Sequence, residues 1–390
     1  MIEIYPPKIR RVGSHSRLEA SISLAGRRET LWYSVPDSYE QYFTSEVLDA
    51  FMVGLLPLAV REGWDVVLFA PCSERLLFRL EQDYIALLVA LEPQRKPMRL
   101  IAKAGIMQSA LPSAGAVALA FSAGVDSFFT LAEYSKVSVP KCYRPTHLVN
   151  SNVGAHGFDA ATNARVFAQH AHQLAAAAAK ASLPLLTIDS NLSDLLQMGF
   201  RTSHTPRNTS AVLCLQKLFG TFLYSGSYAY RSVTAHNAND IAFADPIGVP
   251  LLSTETTECV AAGSSFSRLE KVRFLRDYAP AQQHLNVCVK PTPDGANCSS
   301  CWKCARTLFD LEIVDGLSHF ASLFDIRRYR MVRTQFLLWH VFAKRKYIVN
   351  QDLIRKAREA GVYMPWWLGP CGRFIELTRP RWGVLSWIKK

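Results

Sequence analysis

The chain has 390 residues, 49% of them hydrophobic and 19% charged, and a formal net charge of +12. This length is sufficient for two or three domains with large cores, and the composition is that of a globular protein rather than a disordered one. No run approaches the roughly 18 consecutive apolar residues of a membrane span, and the N-terminus lacks the basic and apolar segments of a signal peptide. We therefore expect a cytoplasmic protein without a membrane span, which the odd number of cysteines, nine, also favours.

Residues 1–112 are predicted to form an N-terminal α/β accessory domain. A helix is expected over residues 45–61, with Thr44 or Ser45 as its N-cap and Gly63 just past its end. The other predicted elements are strands at 20–24, 31–35, 64–69 and 98–102 and a helix at 73–91. No catalytic constellation is found among these residues, which favours a scaffold or partner-binding role.

From residue 113 to 312, short strands alternate with helices. Such alternation predicts an α/β fold with a doubly wound parallel sheet and right-handed crossovers. The predicted strands are 116–121, 147–150, 185–188, 222–225 and 251–252, and the predicted helices are 160–181, 210–220 and 267–278. Ligands of such sheets bind at the carboxyl ends of the strands. The segments that begin at Ser122, Asn150 and Ser225 lie at such ends, and the small residues there, including Gly226, allow a ligand to approach closely.

The turn at residues 122–127 has the sequence Ser-Ala-Gly-Val-Asp-Ser. A buried apolar run leads into it, and an apolar helical pattern starts at Asp126. A strand, a tight turn and a helix start direct backbone N–H groups and the helix dipole at one point, which favours an anion. The Gly-Lys-Ser/Thr of a Walker P-loop is absent from the sequence.

Four of the nine cysteines lie within seventeen residues: Cys288, Cys298, Cys301 and Cys304. Four thiolates at this spacing suit tetrahedral Zn²⁺, and the Pro- and Gly-containing segment between the first two predicts a loop. An iron–sulfur cluster is the alternative, since four thiolates also fit it. Four protein ligands leave no open position for a substrate water, so the predicted metal site is a structural zinc knuckle.

Two further segments are candidate anion contacts. In the first, Asn208 or Thr209 is predicted to cap a helix, which places Arg207 beside the helix N-terminus, where its guanidinium suits a phosphate or carboxylate. In the second, Glu270 and Lys271 follow a Gly-Ser-Ser approach to a helix. Such charges usually belong to a solvated helix surface, which is the alternative for both residues.

Residues 313–390 are predicted to be a basic, aromatic and mainly helical region. From residue 321 to the end there are fifteen Lys and Arg against four acidic residues. Nearly all of the excess charge of the chain lies there, so this region is the candidate surface for an acidic partner. The aromatic residues between the charges are compatible with RNA binding, although their helical spacing also suits packing.

The order of these motifs resembles that of the 7-cyano-7-deazaguanine synthase family (QueC, once called ExsB) of PP-loop ATP pyrophosphatases, over roughly residues 115–312. The resemblance implies an adenine nucleotide alpha-hydrolase-like fold with ATP, Mg²⁺ and Zn²⁺ as cofactors. It implies catalytic roles for Asp126, Arg207 and Lys271 and zinc ligation by the four cysteines. It implies a nucleotide site formed by Ser122, Ala123, Gly124, Val125, Asp126, Ser127, Asn150, Arg207, Asn208, Thr209 and Gly226.

The sequence departs from the family at three places. Ala123 replaces a loop glycine, which requires the residue to keep a negative φ. The segment after the strand at 222–225 lacks the usual Gly/Asn/Asp pattern, and the regions 1–112 and 313–390 are additional. Enlarged QueC-like proteins of this kind resemble members from anti-phage operons, in which a deazaguanine-type acid is attached to a protein amine.

The resemblance thus implies an ATP-dependent ligase that adenylates a carboxylate, releases pyrophosphate and forms an amide or nitrile. The carboxylate is expected to be a small deazapurine-like molecule, and the amine to be ammonia or a protein acceptor from the same operon. Two alternatives stay open. One is base modification of tRNA by a PP-loop enzyme, and the other is a nucleotide-binding interaction subunit without turnover.

Overall fold

The computed structural model describes residues 1–155, 160–236, 238 and 240–378. The chain divides into two compact units. The first consists of Met1–Ser122 and Asp126–Phe266, and the second of Ala123–Val125 and Ser267–Lys390. The predicted N-terminal domain and most of the predicted second domain thus share one compact unit. The functional division at residues 112 and 312 stays a prediction.

Most strands of the described chain belong to one eleven-stranded sheet, and β6 pairs with β8 apart from it. The strands are β1 (Ile2–Ile4), β2 (Lys8–Val12), β3 (His15–Leu24), β4 (Arg27–Pro36), β5 (Val66–Leu68), β6 (Cys72–Ser73), β7 (Leu100–Ala102), β8 (Ile106–Met107), β9 (Ala116–Ala120), β10 (His147–Asn152), β11 (Leu185–Ser190), β12 (Phe219–Ser225) and β13 (Glu258–Ala262).

Five of these strands form a parallel half in the order β13-β12-β9-β10-β11. The chain moves from β9 to β10 and β11 on one side, and then returns to β12 and β13 on the other. The strand order therefore reverses beside β9. In open α/β sheets such a topological switch point marks the crevice in which ligands bind, at the carboxyl ends of the strands.

The other half of the sheet consists of strands from residues 1–112 and is mixed. Strand β11 pairs antiparallel with β4, through Asp189 with Ser34 and Ser190 with Tyr33. Strands β3 and β4 form a long antiparallel hairpin. Its turn has positive φ at Ala25 and Gly26, which is the backbone that tight hairpins require. The hairpin continues the parallel half into the strands of residues 1–112, so one sheet runs through the first unit.

The described helices are α1 (Asp49–Glu62), α2 (Glu74–Arg79), α3 (Ile85–Leu91), α4 (Val125–Tyr134), α5 (Ala160–Ala181), α6 (Leu192–Leu196), α7 (His204–Leu213), α8 (Asp245–Leu251), α9 (Arg268–Arg276), α10 (Ala279–His284), α11 (Trp302–Ile313), α12 (Ile326–Phe336), α13 (Ile348–Glu359) and α14 (Leu368–Thr378). The region from residue 313 to 378 is mainly helical, as predicted. None of the described helices is long and apolar enough to cross a membrane.

Some element boundaries differ from the predicted ones for local reasons. Helix α1 begins at Asp49 rather than near residue 45, and its N-cap is Leu48; Gly63 ends it in the left-handed conformation, as predicted. The predicted strand at 251–252 is wrong, because Leu251 ends helix α8. The strand that pairs with β12 lies later, at β13, and was not predicted.

Candidate functional site

The turn at residues 122–127 connects strand β9 to helix α4, as the sequence predicts. The Phe121 N–H donates to the Val149 carbonyl of β10, 2.8 Å away, so the chain leaves the sheet beside the end of that strand. The Ser122 N–H donates to Ser127 Oγ at 3.4 Å. Asp126 lies in the first turn of α4. This arrangement directs a helix N-terminus towards the switch point of the sheet.

Ala123 has φ +53° and is 3% exposed. The expectation that it keeps a negative φ is wrong. A left-handed conformation costs an L-residue about 1–2 kcal/mol, because its Cβ approaches the following carbonyl oxygen. Such strain persists where the surrounding structure fixes the backbone, which is common at functional sites.

Three buried oxygen atoms near the carboxyl edge of the parallel strands have no hydrogen-bond partner within the described residues. They are Asn150 Oδ1 in β10, Ser225 Oγ at the end of β12 and Ser264 Oγ just after β13. The Asn150 amide nitrogen donates to the Phe121 carbonyl at 3.3 Å, which directs the side chain to the strand that precedes the turn. A buried polar atom without a partner costs about 1–3 kcal/mol, so three at one edge indicate a place for a polar ligand.

Gly226 directly follows Ser225 and lies against Ser264, where it has no room for a side chain. Its N–H donates to the Ala262 carbonyl at 2.8 Å. A Cβ on Gly226 would lie 2.4 Å from Ser264 Oγ. The sequence-predicted residues Ser122, Ser127, Asn150 and Gly226 are therefore on or next to the same edge of the parallel sheet.

The prediction that Arg207 directly precedes a helix is wrong. Helix α7 begins at His204 with Ser203 as N-cap, so the predicted cap at Asn208 or Thr209 is wrong. Arg207 lies in the second turn and is fully buried. Its guanidinium donates to two backbone carbonyls, and burial lowers its pKa to about 10.

The two acceptors of Arg207 are the carbonyls of Val153, at 3.0 Å, and Met198, at 2.8 Å. Val153 directly follows β10, so Arg207 fixes the chain beyond that strand end. The Arg207 Nε has no hydrogen-bond partner within the described residues. Asn208 and Thr209 donate from their side chains to carbonyls one turn earlier in the same helix, those of His204 and Thr205.

A group of titratable side chains beside α7 was not predicted. The Tyr224 hydroxyl lies 2.6 Å from His204 Nδ1, and His204 Nε2 lies 3.4 Å from Asp240 Oδ1. Thr205 Oγ1 donates to Asp245 Oδ1 at 2.6 Å, and Asp245 Oδ2 has no partner in the described part of the chain. Burial raises the pKa of Asp245 to about 6. No spacing in the sequence signals this group, because its members come from three separate segments.

Lys271 belongs to the second unit, in helix α9. This helix starts with a capping box in which Ser267 and Glu270 bond to each other's backbone N–H groups. Glu270 is an exposed capping residue, whereas Lys271 is fully buried. The interpretation of Lys271 as solvated helix surface is therefore wrong, and its catalytic role stays a prediction.

The four cysteines of the second unit meet as predicted. Their Sγ atoms all lie within 4.8 Å of one another, and Cys288 Sγ is 3.9 Å from Cys301 Sγ. Tetrahedral Zn–S bonds of about 2.3 Å place sulfur atoms about 3.8 Å apart, so the cluster matches a four-thiolate zinc site. All nine cysteines are free thiols, which agrees with a metal site rather than a disulfide.

Backbone N–H groups surround this cluster. Lys290 and Cys298 donate to Cys288 Sγ at 3.3 and 3.4 Å, and the Cys301 N–H donates to Cys298 Sγ at 3.2 Å. Hydrogen bonding with Cys304 lowers the pKa of Cys301 to about 4, whereas burial raises the pKa of Cys288 to about 11. Backbone N–H groups that donate to sulfur favour the thiolate form, which is what a cationic metal requires.

Comparison of the chain with models of protein families, with curated proteins and with solved structures finds no match. Its described residues form a mixed α/β protein with a large, mostly parallel sheet and a four-cysteine cluster that could bind a metal such as zinc.

Proposed function

We propose that this protein is an ATP-dependent ligase that adenylates a carboxylate and joins it to an amine. The observation that carries the proposal is that the 122–127 turn and three unpartnered buried oxygens lie along the same carboxyl edge of the parallel strands, where the strand order reverses. The helix N-terminus of α4 suits the phosphates, and the side-chain oxygens suit the hydroxyl and amino groups of a nucleoside.

In the proposed reaction a carboxylate oxygen attacks the α-phosphorus of ATP. The bond between the α-phosphorus and the bridging oxygen breaks, and pyrophosphate leaves. Negative charge grows on this leaving group, where the backbone N–H groups of the turn stabilise it. Asp126 and Ser127 would hold Mg²⁺, which supplies further charge neutralisation for the phosphate oxygens.

In the second step an amine nitrogen attacks the acyl carbon and AMP leaves, which yields an amide. With ammonia as the amine, a second ATP cycle would dehydrate the amide to a nitrile. With a protein amine the reaction ends at the conjugate. The motif resemblance supports a deazapurine-type acid, and the additional regions 1–112 and 313–390 support a macromolecular acceptor.

Arg207 and Lys271 have different places in this proposal. The two terminal nitrogens of Arg207 bond to backbone carbonyls, so its first role is to position the chain after β10. Its Nε is the atom left for a ligand within the described residues. Lys271 is proposed as a catalytic cation on the basis of the motif alone.

Equilibrium binding of Mg–ATP tests the proposed site directly. Ser225→Ala and Ser264→Ala should each weaken ATP binding about tenfold, since one hydrogen bond contributes about 1–1.5 kcal/mol. Ser21→Ala, an exposed serine of β3, is the matched control and should bind as the unaltered chain does. Pyrophosphate should compete with ATP. No ATP binding at millimolar concentration, or two serine variants that bind normally, would reject the site.

A second candidate function is the modification of tRNA, and one surface favours it. Helix α12 and the π-helical turn after it expose Arg328, Met331, Gln335 and Trp339. Residues three or four apart lie on one side of a helix, so a basic and an aromatic group share this face. Arginines neutralise phosphates, and aromatic rings stack on unpaired bases. A salt-dependent tRNA shift assay tests this candidate, which little binding at low salt would reject.

A further inference from the structure

The strained turn residue Ala123 and the four-cysteine cluster belong to the same compact unit. The Asn286 N–H donates to the Ala123 carbonyl at 2.9 Å. Asn286 lies two residues before Cys288, at the start of the loop that carries the cysteines. The backbone of this loop therefore contacts the one residue of the turn whose φ is unfavourable.

The side chain of Asn286 continues this connection into the cluster. Its Oδ1 accepts from the Cys288 N–H at 3.2 Å, and its Nδ2 donates to the Gly295 carbonyl at 3.0 Å. Asn286 is thus held by its side chain to a cysteine at one end of the loop and to Gly295 further along it. Its backbone N–H is thereby fixed in direction.

Asn297 holds the residues on either side of Asn286. Its Nδ2 donates to the Leu285 carbonyl at 2.8 Å, and its Oδ1 accepts from the Val287 N–H at 2.9 Å. Asn297 directly precedes Cys298, a second member of the cluster. Two asparagines therefore join the segment that contacts Ala123 to two of the four cysteines.

We infer that Asn286 is a positioning residue through which the metal-loaded cysteine cluster holds Ala123 in its left-handed conformation. A bound metal restricts the positions of Cys288 and Cys298. Through the hydrogen bonds described above, these two segments restrict the position of Asn286. The Asn286 N–H in turn restricts the orientation of the Ala123 carbonyl. The direction of the Gly124 N–H depends on that carbonyl, because both groups belong to one planar peptide unit. The inference rests on the proposed function only for the identity of the ligand that binds at the turn.

Hydrogen exchange of the zinc-loaded full chain, read by mass spectrometry over residues 122–127, tests this connection. Asn286→Ala should speed exchange of these amides at least tenfold while the chain keeps one zinc per molecule. The matched control is Thr292→Val in the same loop. It removes the side-chain hydrogen bonds of Thr292 to Asp294 and to the Ala296 carbonyl but leaves Asn286 in place. Unchanged exchange in Asn286→Ala, or equal effects of the two variants, would overturn the inference.

A second measurement applies if Asn286→Ala also lowers the zinc content. Coupling between two sites is reciprocal, so an anion bound at the turn should slow zinc loss from the unaltered chain. We expect pyrophosphate to slow transfer of zinc to a chelator at least threefold, and inorganic phosphate to do so less. If calorimetry shows that pyrophosphate binds but zinc transfer is unchanged, the inference is wrong. If pyrophosphate does not bind and Asn286→Ala alone speeds exchange, the inference holds and the proposed function fails.

Discussion

The carboxyl edge of the parallel strands and the four-cysteine cluster differ in how completely their polar atoms are paired. At the strand edge, Asn150 Oδ1, Ser225 Oγ and Ser264 Oγ are buried without partners among the described residues. At the cluster, backbone N–H groups donate to the sulfurs, and four thiols face one point. The edge has the character of a ligand site, whereas the cluster has that of a closed structural site.

The largest effect is expected from breaking the cluster. Cys298→Ser should abolish stoichiometric zinc binding and lower the free energy of unfolding by at least about 3 kcal/mol, because metal binding free energy is folding free energy. Metal analysis and denaturant unfolding measure both quantities. Cys371→Ser replaces an exposed thiol of the same unit and is the control. A chain that contains no metal and is equally stable with and without a chelator would contradict the structural site.

A medium effect is expected from Asp245, whose pKa of about 6 lies above its ordinary value of 3.8 because of burial. The folded chain therefore binds this proton more tightly than the unfolded chain does, and ionisation of Asp245 lowers stability as the pH rises from about 4 through 6. Asp245→Asn removes this pH-dependent loss of stability. The unfolding free energy of the variant minus that of the unaltered chain should therefore increase by about 1.5 kcal/mol when the pH is raised from 5 to 8.

Urea unfolding at the two pH values measures this difference. Asp240→Asn is the contrasting variant. Burial favours the neutral form of Asp240, but hydrogen bonding to His204 outweighs burial and lowers its pKa. The same change of pH should therefore not raise the unfolding free energy of Asp240→Asn relative to that of the unaltered chain. An equal response of the two variants would show that Asp245 is not the buried proton site.

The smallest stability effect is expected at the strand edge, and it has the opposite sign. Ser225→Ala removes a buried hydroxyl without a partner, so the ligand-free chain should become more stable by about 1 kcal/mol. The same variant should bind ATP more weakly. Thermal unfolding without and with ATP separates the two effects. A loss of stability in the ligand-free variant would mean that Ser225 has a structural role instead.

The sequence predicted those features that depend on local pattern. The turn at residues 122–127 and the meeting of four cysteines follow from short spacings, and both are present. Helix α5 has the bounds that its alanine-rich pattern predicts. In each case the deciding residues are neighbours in the chain, so tertiary contacts had little to alter.

The features that sequence reasoning missed depend on distant contacts. The pairing of β11 with β4 joins residues more than 150 positions apart, and it connects the parallel strands of the predicted second domain to the mixed strands of residues 1–112. The burial of Arg207 follows from helix α7 starting at His204, after an N-cap, Ser203, whose side chain makes no capping hydrogen bond. The burial of Lys271 likewise depends on tertiary packing, which the charged residues beside it in the sequence do not indicate.

The identity of the products formed from ATP tests the central claim most directly. The chain is incubated with Mg–ATP, 7-carboxy-7-deazaguanine and ammonium, and the phosphorus products are identified by NMR. We predict AMP and pyrophosphate in equal amounts from the unaltered chain, and neither from Asp126→Ala at equal concentration of folded protein. ADP and inorganic phosphate as the products would contradict an adenylating site at the 122–127 turn.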